Sequence, residues 1–261
     1  MPTLSAIYRY PVKSTQGLSL TTSELSPSGL PDDRAWMVTS TEGRMITGRD
    51  CPTLVKVVTD VDEHSLTLSA PGMPVLSVER ALFSQACPAS VWKDDFAAWS
   101  GAKSADAWFS DYLGRAARLL YTGETQRRVR PFPDVPLSFA DGFPLLLIGE
   151  TSRQQLSEWV GRDMEMARFR PNLVISGAPA FAEDGWKQIR IGNVMFQIAK
   201  PCGRCVFTTV DPQTAEKSAD QEPLRTIAQR RKGPEGAEFG QNVLAGNVGR
   251  IEVGMPVEIL E

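Results

Sequence analysis

The sequence predicts a mainly β protein with some α-helix, in the α+β class, built from two units. Short runs of alternating apolar and polar residues recur along the chain. Glycine and proline, 21 and 19 residues, separate these runs, and only three stretches have the spacing of an amphipathic helix. Many short strands with such turns are typical of a barrel or a sandwich. A chain of 261 residues suits one large domain or two modest ones.

The first third contains the clearest strand patterns. Residues 4–12 alternate apolar and polar side chains, as a half-buried strand does. Residues 35–38 form a second apolar run, which a glycine turn follows. Residues 66–68 and 74–78 flank Pro71-Gly72, so we expect them to form a hairpin.

Three helices are expected. The first is capped by Ser104, buries Trp108 and its neighbours on one face and ends before Gly114. The second begins with a capping box that starts at Ser152. Pro223 opens the third, because proline is favoured in the first turn of a helix.

Strands return in the last third. Residues 188–191 and 194–198 are joined by a Gly-Asn turn and predict a hairpin. Residues 250–253 and 257–260 predict another. A polar, basic stretch at 123–131 marks a joint, so the sequence predicts two domains, 1–122 and 123–261.

Composition excludes several classes of protein. The formal net charge of −3 argues against a non-specific nucleic-acid binder, which needs a positive excess. The sequence contains no apolar run long enough to span a bilayer, and its start lacks the build of a signal peptide. Four cysteines are few for a disulfide framework. We therefore expect a cytoplasmic protein with reduced thiols, bound to neither membrane nor nucleic acid.

The single histidine, His64, lies in a polar stretch typical of a solvated turn. A Ser-His-Asp triad, a Cys-His pair and a multi-histidine zinc site are thereby disfavoured. Chemistry must depend on cysteine, carboxylates, lysine and arginine, or a bound cofactor.

The most distinctive local pattern is the cysteine pair Cys202-Gly203-Arg204-Cys205. It fits half of a zinc site, a redox dithiol or two buried structural cysteines, and spacing alone does not decide among them. The β-branched residues after Cys205 predict that it opens a strand. A neighbouring arginine favours the thiolate form, which is a good ligand for a soft metal.

Cationic residues also occur beside predicted strand ends. Lys13 and Ser14 follow the first strand, Arg34 precedes the next, Arg49 lies in a glycine turn, and residues 168–172 contain two further arginines. Lysine and arginine at strand ends can hold a phosphate. Spacing alone does not show that these residues converge.

Six segments in the same order resemble the MOSC-domain family with its N-terminal β-barrel partner. The similarity extends from residue 4 to residue 260, and its nearest members are the amidoxime-reducing components and the bacterial YcbX-type reductases. The segments are residues 10–14 (YPVKS), 33–38 (DRAWMV), 169–174 (FRPNLV), 182–186 (AEDGW), 202–205 (CGRC) with 208–212 (TTVDP), and 239–242 (FGQN).

The resemblance implies a MOSC β-barrel, a smaller N-terminal β-rich domain and a bound molybdenum cofactor of the Mo-molybdopterin type. Cys205 would ligate the metal, whereas Cys202 matches a cysteine that is not a ligand. The remaining cofactor-binding residues implied are Lys13, Ser14 and Arg34 for the phosphate, Arg170 and Asn172, Gly142 and Phe143 through their backbone, Gly203 and Arg204, and Asn242, which stands where some relatives have tyrosine.

The activity implied is reduction of small N-hydroxylated substrates such as amidoximes, hydroxylamines and N-hydroxylated bases. It would be independent of pyridoxal phosphate and would fit a role in detoxification. Asp141 is expected to donate a proton or contact the substrate. Because the chain ends at Glu261 without a four-cysteine iron–sulfur segment, we expect electrons from a separate protein of reductase, ferredoxin or flavodoxin type.

Two other hypotheses remain at this point. The chain could be a sulfur carrier or cofactor-handling protein that forms a persulfide on Cys205. It could also be a MOSC barrel that has lost its cofactor, although the retained Lys13, Arg34, Arg170 and Cys205 argue against that.

Overall fold

The computed structural model describes residues 1–124 and 127–261. Thr125 and Gln126, inside the predicted joint at 123–131, lie outside the described residues. Within the described ranges the chain forms three α-helices, α1 (Lys103–Leu113), α2 (Glu150–Val160) and α3 (Leu224–Arg230). The strands over the same ranges are β1 (Thr3–Arg9), β2 (Leu18–Leu20), β3 (Thr22–Leu25), β4 (Trp36–Thr39), β5 (Val58–Val61), β6 (Ser65–Ser69), β7 (Leu76–Glu79), β8 (Gln85–Val91), β9 (Asp94–Ser100), β10 (Arg118–Tyr121), β11 (Arg128–Val129), β12 (Phe132–Pro136), β13 (Leu145–Gly149), β14 (Leu173–Ser176), β15 (Gln188–Ile191), β16 (Val194–Gly203), β17 (Lys232–Gly233), β18 (Gly236–Ala245), β19 (Gly249–Glu252) and β20 (Val257–Ile259).

The largest sheet has nine strands in the order β2-β1-β14-β13-β18-β16-β15-β20, with β17 paired to β18. β13 and β14 are parallel, since the helix α2 connects them. The C-terminal half of β1 pairs with β2. Only the first residues of β1 contact the segment before β20, through an isolated bridge between Thr3 and Pro256. Among the described residues the ladder therefore does not close into the predicted barrel, although the α+β class is confirmed.

The N-terminal part forms two smaller sheets, β4-β10-β9-β8 and β5-β6-β7. Its core packs α1 against β10 and β7, with Trp36, Trp108 and Phe109 buried in the same cluster. β1 and β2 lie in the nine-stranded sheet and β3 pairs with β19, so the first 25 residues pair with the C-terminal half of the chain. The boundary at 122/123 remains a prediction.

Two of the three predicted hairpins form, β6–β7 and β15–β16. The third is wrong, because β19 pairs with β3 and β20 pairs with β15. The backbone N–H groups of Val253 and Gly254, in the expected turn, donate instead to the carbonyls of Thr21 and Leu4. Pairing with distant strands therefore replaces the local turn.

The helices occur where the sequence predicts them, but two of the predicted caps are wrong. α1 does end at Gly114, in the left-handed conformation, and α3 follows Pro223. The N-cap of α1 is Ala102, and Ser152 lies within the first turn of α2. Its Oγ donates to the buried carboxylate of Glu183 at 2.8 Å, which also accepts the N–H of the N-cap residue Gly149. A carboxylate from a distant segment thus takes the place of a local cap.

In the described part of the chain, no helix has the length and apolar character needed to cross a membrane.

Candidate functional site

A cavity of about 320 Å³ lies where segments of the four-stranded and nine-stranded sheets meet. Its walls contain all twelve residues that the sequence analysis assigned to the site. These are Lys13, Ser14, Arg34, Asp141, Gly142, Phe143, Arg170, Asn172, Gly203, Arg204, Cys205 and Asn242. The structure therefore brings together side chains that the sequence places as far apart as residues 13 and 242. Their individual roles as ligands remain predictions.

Most of these residues lie at the ends of strands. Lys13 and Ser14 follow β1, Arg34 precedes β4, and Arg170 precedes β14. β16 carries bulges where it pairs with β18, between Ile198 and Lys200 and again between Pro201 and Gly203. Bulges re-aim side chains next to functional sites, and here they bring the end of β16 to the cavity wall.

Backbone strain is concentrated at this cavity. Eight non-glycine residues in the described chain have a positive φ, and four of them line the cavity. These are Ser14 (72°), Arg34 (50°), Trp92 (57°) and Arg170 (56°). Strained conformations persist where the surrounding structure imposes them, and they cluster at binding and active sites.

One side of the cavity holds two guanidinium groups close together. Those of Arg34 and Arg170 lie 4.3 and 4.1 Å from the ring centroid of Tyr10, and Arg34 donates to the backbone carbonyl of Arg170. Asp33 forms an ion pair with Arg34. Burial, and next the like charge of Arg34, lower the pKa of Arg170 to about 10. The local charge is thus positive and favours binding of an anion.

Asn172 has a positioning role here. Its Oδ1 accepts from Arg34 at 3.0 Å and from the backbone of Leu146, and its Nδ2 donates to the carbonyl of Tyr8. The buried amide therefore ties Arg34 to the strands on both sides. Its predicted role in binding a cofactor stays a prediction.

Asp141 is the centre of a charged network at the mouth of the cavity. Its Oδ1 accepts from Lys13 Nζ at 2.6 Å and from the indole N–H of Trp92 at 3.1 Å, and its Oδ2 accepts from Arg49 at 2.9 Å. Burial alone would raise the pKa of this carboxyl, but the charges of Lys13 and Arg49 outweigh it and hold the pKa well below its usual range. Asp141 is therefore ionised at neutral pH, which disfavours proton donation among its two expected roles.

The two cysteines have different partners. The Sγ of Cys205 accepts from Arg49 Nε at 3.2 Å, whereas Arg204 donates to the Sγ of Cys202 at 3.1 Å. The expectation that Arg204 lies beside the Cys205 thiolate is therefore wrong, because the chain turns between them and Arg204 extends to the carbonyl of Phe169. Cys205 also does not open a strand: it caps a short 3-10 helix, Val206–Thr209.

Sequence reasoning missed part of the lining. Arg49 was noted only as one cation among several, and Trp92 carried no local signal, since an isolated tryptophan in a strand pattern indicates core packing. Its position at the tip of the β8–β9 hairpin, with 55% of its surface exposed, was not evident from the sequence. The other lining residues not predicted are Ala140, Leu145, Leu146, Arg168, Phe169, Phe207 and Thr208.

Comparison with known proteins first defines the class. The family model described as the MOSC N-terminal beta barrel domain matches residues 1–116, and that of the MOSC domain matches residues 134–258. The chain belongs to the MOSC-domain family of the amidoxime-reducing components, as its sequence predicted.

Its relatives match along nearly the whole chain. Human mitochondrial amidoxime-reducing component 1 is 30% identical over 99% of this chain and 83% of its own length. Rat mitochondrial amidoxime reducing component 2 is 32% identical over 98% and 82%. The solved structure of the YUAD protein from Bacillus subtilis matches over 99% of this chain and 95% of its own, at 8% identity and a TM-score of 0.44.

One expectation from the sequence is corrected by these relatives. They are named mitochondrial, so the cytoplasmic location predicted from composition is wrong. The prediction depended on composition, which does not distinguish one compartment from another.

Proposed function

We propose that this protein reduces N-hydroxylated compounds with a molybdenum cofactor held in the site cavity and ligated by Cys205. The observation that carries the proposal is that one cavity holds both a thiol and a set of buried cations. The relatives are named for the reduction of amidoximes, which are N-hydroxylated amidines, and this confirms the prediction of a reductase for that class of compound. The MOSC domain and these relatives imply the molybdenum cofactor.

The residues present fit such a group. Two buried guanidinium nitrogens on the cavity wall have neither a hydrogen-bond partner nor an ion pair among the described residues: Arg170 Nη2 and Arg204 Nε. A buried donor without a partner is costly, so these nitrogens favour an anionic ligand such as a phosphate. Among the described residues no three His, Cys, Asp or Glu side chains lie close enough to hold a metal. A metal held here would bring most of its ligands with the cofactor, and Cys205 would supply the thiolate.

The net reaction is balanced by two electrons and two protons. The N–O bond of the substrate breaks, and the products are the corresponding amine or amidine and water. When bound, the molybdenum cofactor supplies a metal that accepts oxygen and passes the two electrons. We propose a separate electron-transfer protein of reductase, ferredoxin or flavodoxin type as the donor.

The chain's own residues bind and orient the substrate. The carboxylate of Asp141 has about four acceptor positions, and Lys13, Trp92 and Arg49 use three of them. The remaining position on Oδ2 can accept an N–H or O–H of the substrate. Because Asp141 is held ionised, it does not donate the protons, and its carboxylate fixes the direction in which the substrate N–OH group points.

Molybdenum content and activity test the proposal together. The protein would be purified from a host that makes molybdopterin, its molybdenum measured, and benzamidoxime reduction followed with a small reductant. We expect near-stoichiometric metal in the wild type, loss of metal and activity in Cys205→Ser, and retention of both in the matched Cys202→Ser, whose sulfur contacts Arg204 instead. A persulfide on Cys205 in a protein without molybdenum would favour the sulfur-carrier hypothesis and refute the reductase.

A further inference from the structure

A second cavity, here called the basin, opens beside the mouth of the site and has a volume of about 580 Å³. It shares Trp92, Asp141, Gly142 and Phe143 with the site cavity, so the two are adjoining spaces with a common wall. We infer that the basin is a subsite for the anionic group of aromatic N-hydroxylated substrates. The inference rests on the proposed function and names the class of substrate, which is compounds that carry a phosphate or carboxylate. A nucleotide belongs to this class, whereas the free base does not.

The charges around the basin favour an anion. Four cationic side chains line it: Lys93, Arg128, Arg130 and Lys200. Among the described residues, two carboxylates also line it, and each is already paired. Asp94 forms ion pairs with Arg127 and Arg130, while Asp141 is paired with Lys13 and Arg49, which do not line the basin.

Lys93 is exposed and makes no ion pair within the described residues. Arg130 is 71% exposed and shares its one carboxylate with Arg127. Lys200 adds a third charge, although Glu235 on the far side offsets it at 2.8 Å. The net field in the basin is therefore positive, and an anion entering it displaces little existing pairing.

The wall between the cavities is aromatic. The indole of Trp92 is more than half exposed, and it is held in place by its N–H bond to Asp141 and by the guanidinium of Arg49, 4.6 Å from its ring centroid. Phe143 is half-buried, with Lys200 Nζ 5.7 Å from its ring. An exposed tryptophan at a positive φ is costly to the fold, which argues for a role in binding.

The two features together define the ligand. Fixed aromatic faces at the mouth are surfaces on which a planar base stacks, and stacking tolerates different bases. A substrate whose N–OH group reaches Asp141 then extends its other end over Trp92 and Phe143 into the basin. The cations lie there, and a cavity of this size accommodates a ribose with a phosphate. The anionic group takes no part in the chemistry and acts through binding alone.

The test compares matched neutral and anionic substrates on the molybdenum-loaded protein. The pairs are N4-hydroxycytidine with its 5′-monophosphate, and benzamidoxime with 4-carboxybenzamidoxime, all reduced by the same small-molecule donor. We expect kcat/KM to favour the anionic member by about tenfold, mainly through KM, because two exposed ion pairs each contribute a modest Coulomb energy. The preference should shrink as salt is added. A preference in the phosphate pair alone supports a phosphate subsite, and a preference in both pairs supports a general anion subsite.

Charge-reversed variants assign the effect to the basin. In Lys93→Glu combined with Arg130→Glu, the ratio of anionic to neutral kcat/KM should fall to about one or below. The matched control is Lys103→Glu, an exposed lysine at the start of α1 that lines neither cavity, and its ratio should equal that of the wild type. Calorimetry with cytidine 5′-monophosphate and cytidine provides a readout independent of turnover, with binding of the nucleotide lost in the double variant.

Specific outcomes would overturn the inference. The basin does not select anionic substrates if the ratio of anionic to neutral kcat/KM is near one in the wild type. The same conclusion follows if this ratio is equal in the wild type and the double variant. The same holds if the variants change only the KM for an acidic electron-donor protein, since the basin would then be a docking surface for that protein. Failure of the wild type to reduce benzamidoxime would instead refute the proposed function, so the two failures are distinguishable.

Discussion

Arg49 donates from its Nε to the Sγ of Cys205 across 3.2 Å, although 156 positions separate the two residues in the chain. The same guanidinium donates from Nη2 to Asp141 at 2.9 Å. One side chain from the N-terminal half therefore connects the thiol and the carboxylate of the C-terminal half. The site exists only when the two halves are packed together, which explains why no single segment of the sequence contains it.

Substitution of Arg49 by methionine should weaken the site without unfolding the protein. The change removes both hydrogen bonds and keeps an unbranched side chain that replaces the aliphatic part of the arginine. Residues that support metal ligands typically contribute 10–100-fold to metal affinity or activity, so we expect a loss of about that size in molybdenum occupancy. Metal analysis after dialysis would measure it. The matched control is Arg250→Met, an exposed arginine on β19, and equal occupancy in both variants would contradict the role of Arg49.

Asp141→Asn should destabilise the protein in a pH-dependent way. Lys13 and Arg49 outweigh the effect of burial and hold the pKa of Asp141 below its value in the unfolded chain. The ionised carboxylate therefore contributes stability that is fully present above the ordinary carboxyl pKa of about 3.9 and is lost as pH falls further. Since the carboxylate is half exposed, we expect about 1 kcal/mol near neutral pH.

Urea unfolding of the wild type and Asp141→Asn at several pH values measures this difference. It should be constant from about pH 7 to pH 5 and shrink below about pH 4. A difference that grows as pH falls would mean that the carboxyl is protonated in the native state, and would restore Asp141 as a proton donor.

Inorganic phosphate should stabilise the metal-free protein through Arg170. Its Nη2 is buried without a partner in the described structure, and Arg34 lies beside it. Above the dissociation constant, each tenfold increase in phosphate should add about 1.4 kcal/mol to the free energy of unfolding. Arg170→Met should lose this dependence. Chloride at matched ionic strength is the control, and equal stabilisation of both proteins by phosphate would contradict the anion site.

Local elements were the part of the fold that the sequence predicted well. The end of α1 at Gly114 and the hairpins β6–β7 and β15–β16 depend on neighbouring residues, so their turn and capping signals suffice. The failures are long-range. Ser152 has the spacing of a capping box, but Glu183 lies 31 positions away and binds its hydroxyl. Tertiary pairing of this kind leaves no signal in a local window.

The candidate site shows the same division. The resemblance to the family predicted twelve site residues, and all of them line one cavity. The order of the motifs along the chain was enough to identify the segments that form the site. The resemblance did not predict which side chains contact each other. Arg204 is adjacent to Cys205 in sequence yet its guanidinium contacts Cys202, and the guanidinium that contacts Cys205 belongs to Arg49. Side-chain direction at a bulged strand end depends on the packed structure.

Gly240 should tolerate no side chain, since it lies on β18 against Leu147 and Ile148 of β13. It has a φ of 78°, and an added Cβ would lie 2.6 Å from Ile148 Cγ1 and 2.8 Å from the carbonyl oxygen of Leu147. Left-handed strain costs about 1–2 kcal/mol, and overpacking of a buried strand costs a similar amount, so Gly240→Ala should lose about 3 kcal/mol. The matched control is Gly246→Ala, where the nearest atom to an added Cβ is 3.5 Å away and φ is not left-handed. Chemical denaturation of both variants checks the difference, and equal losses would mean that the close approach of β13 and β18 does not set the requirement for glycine.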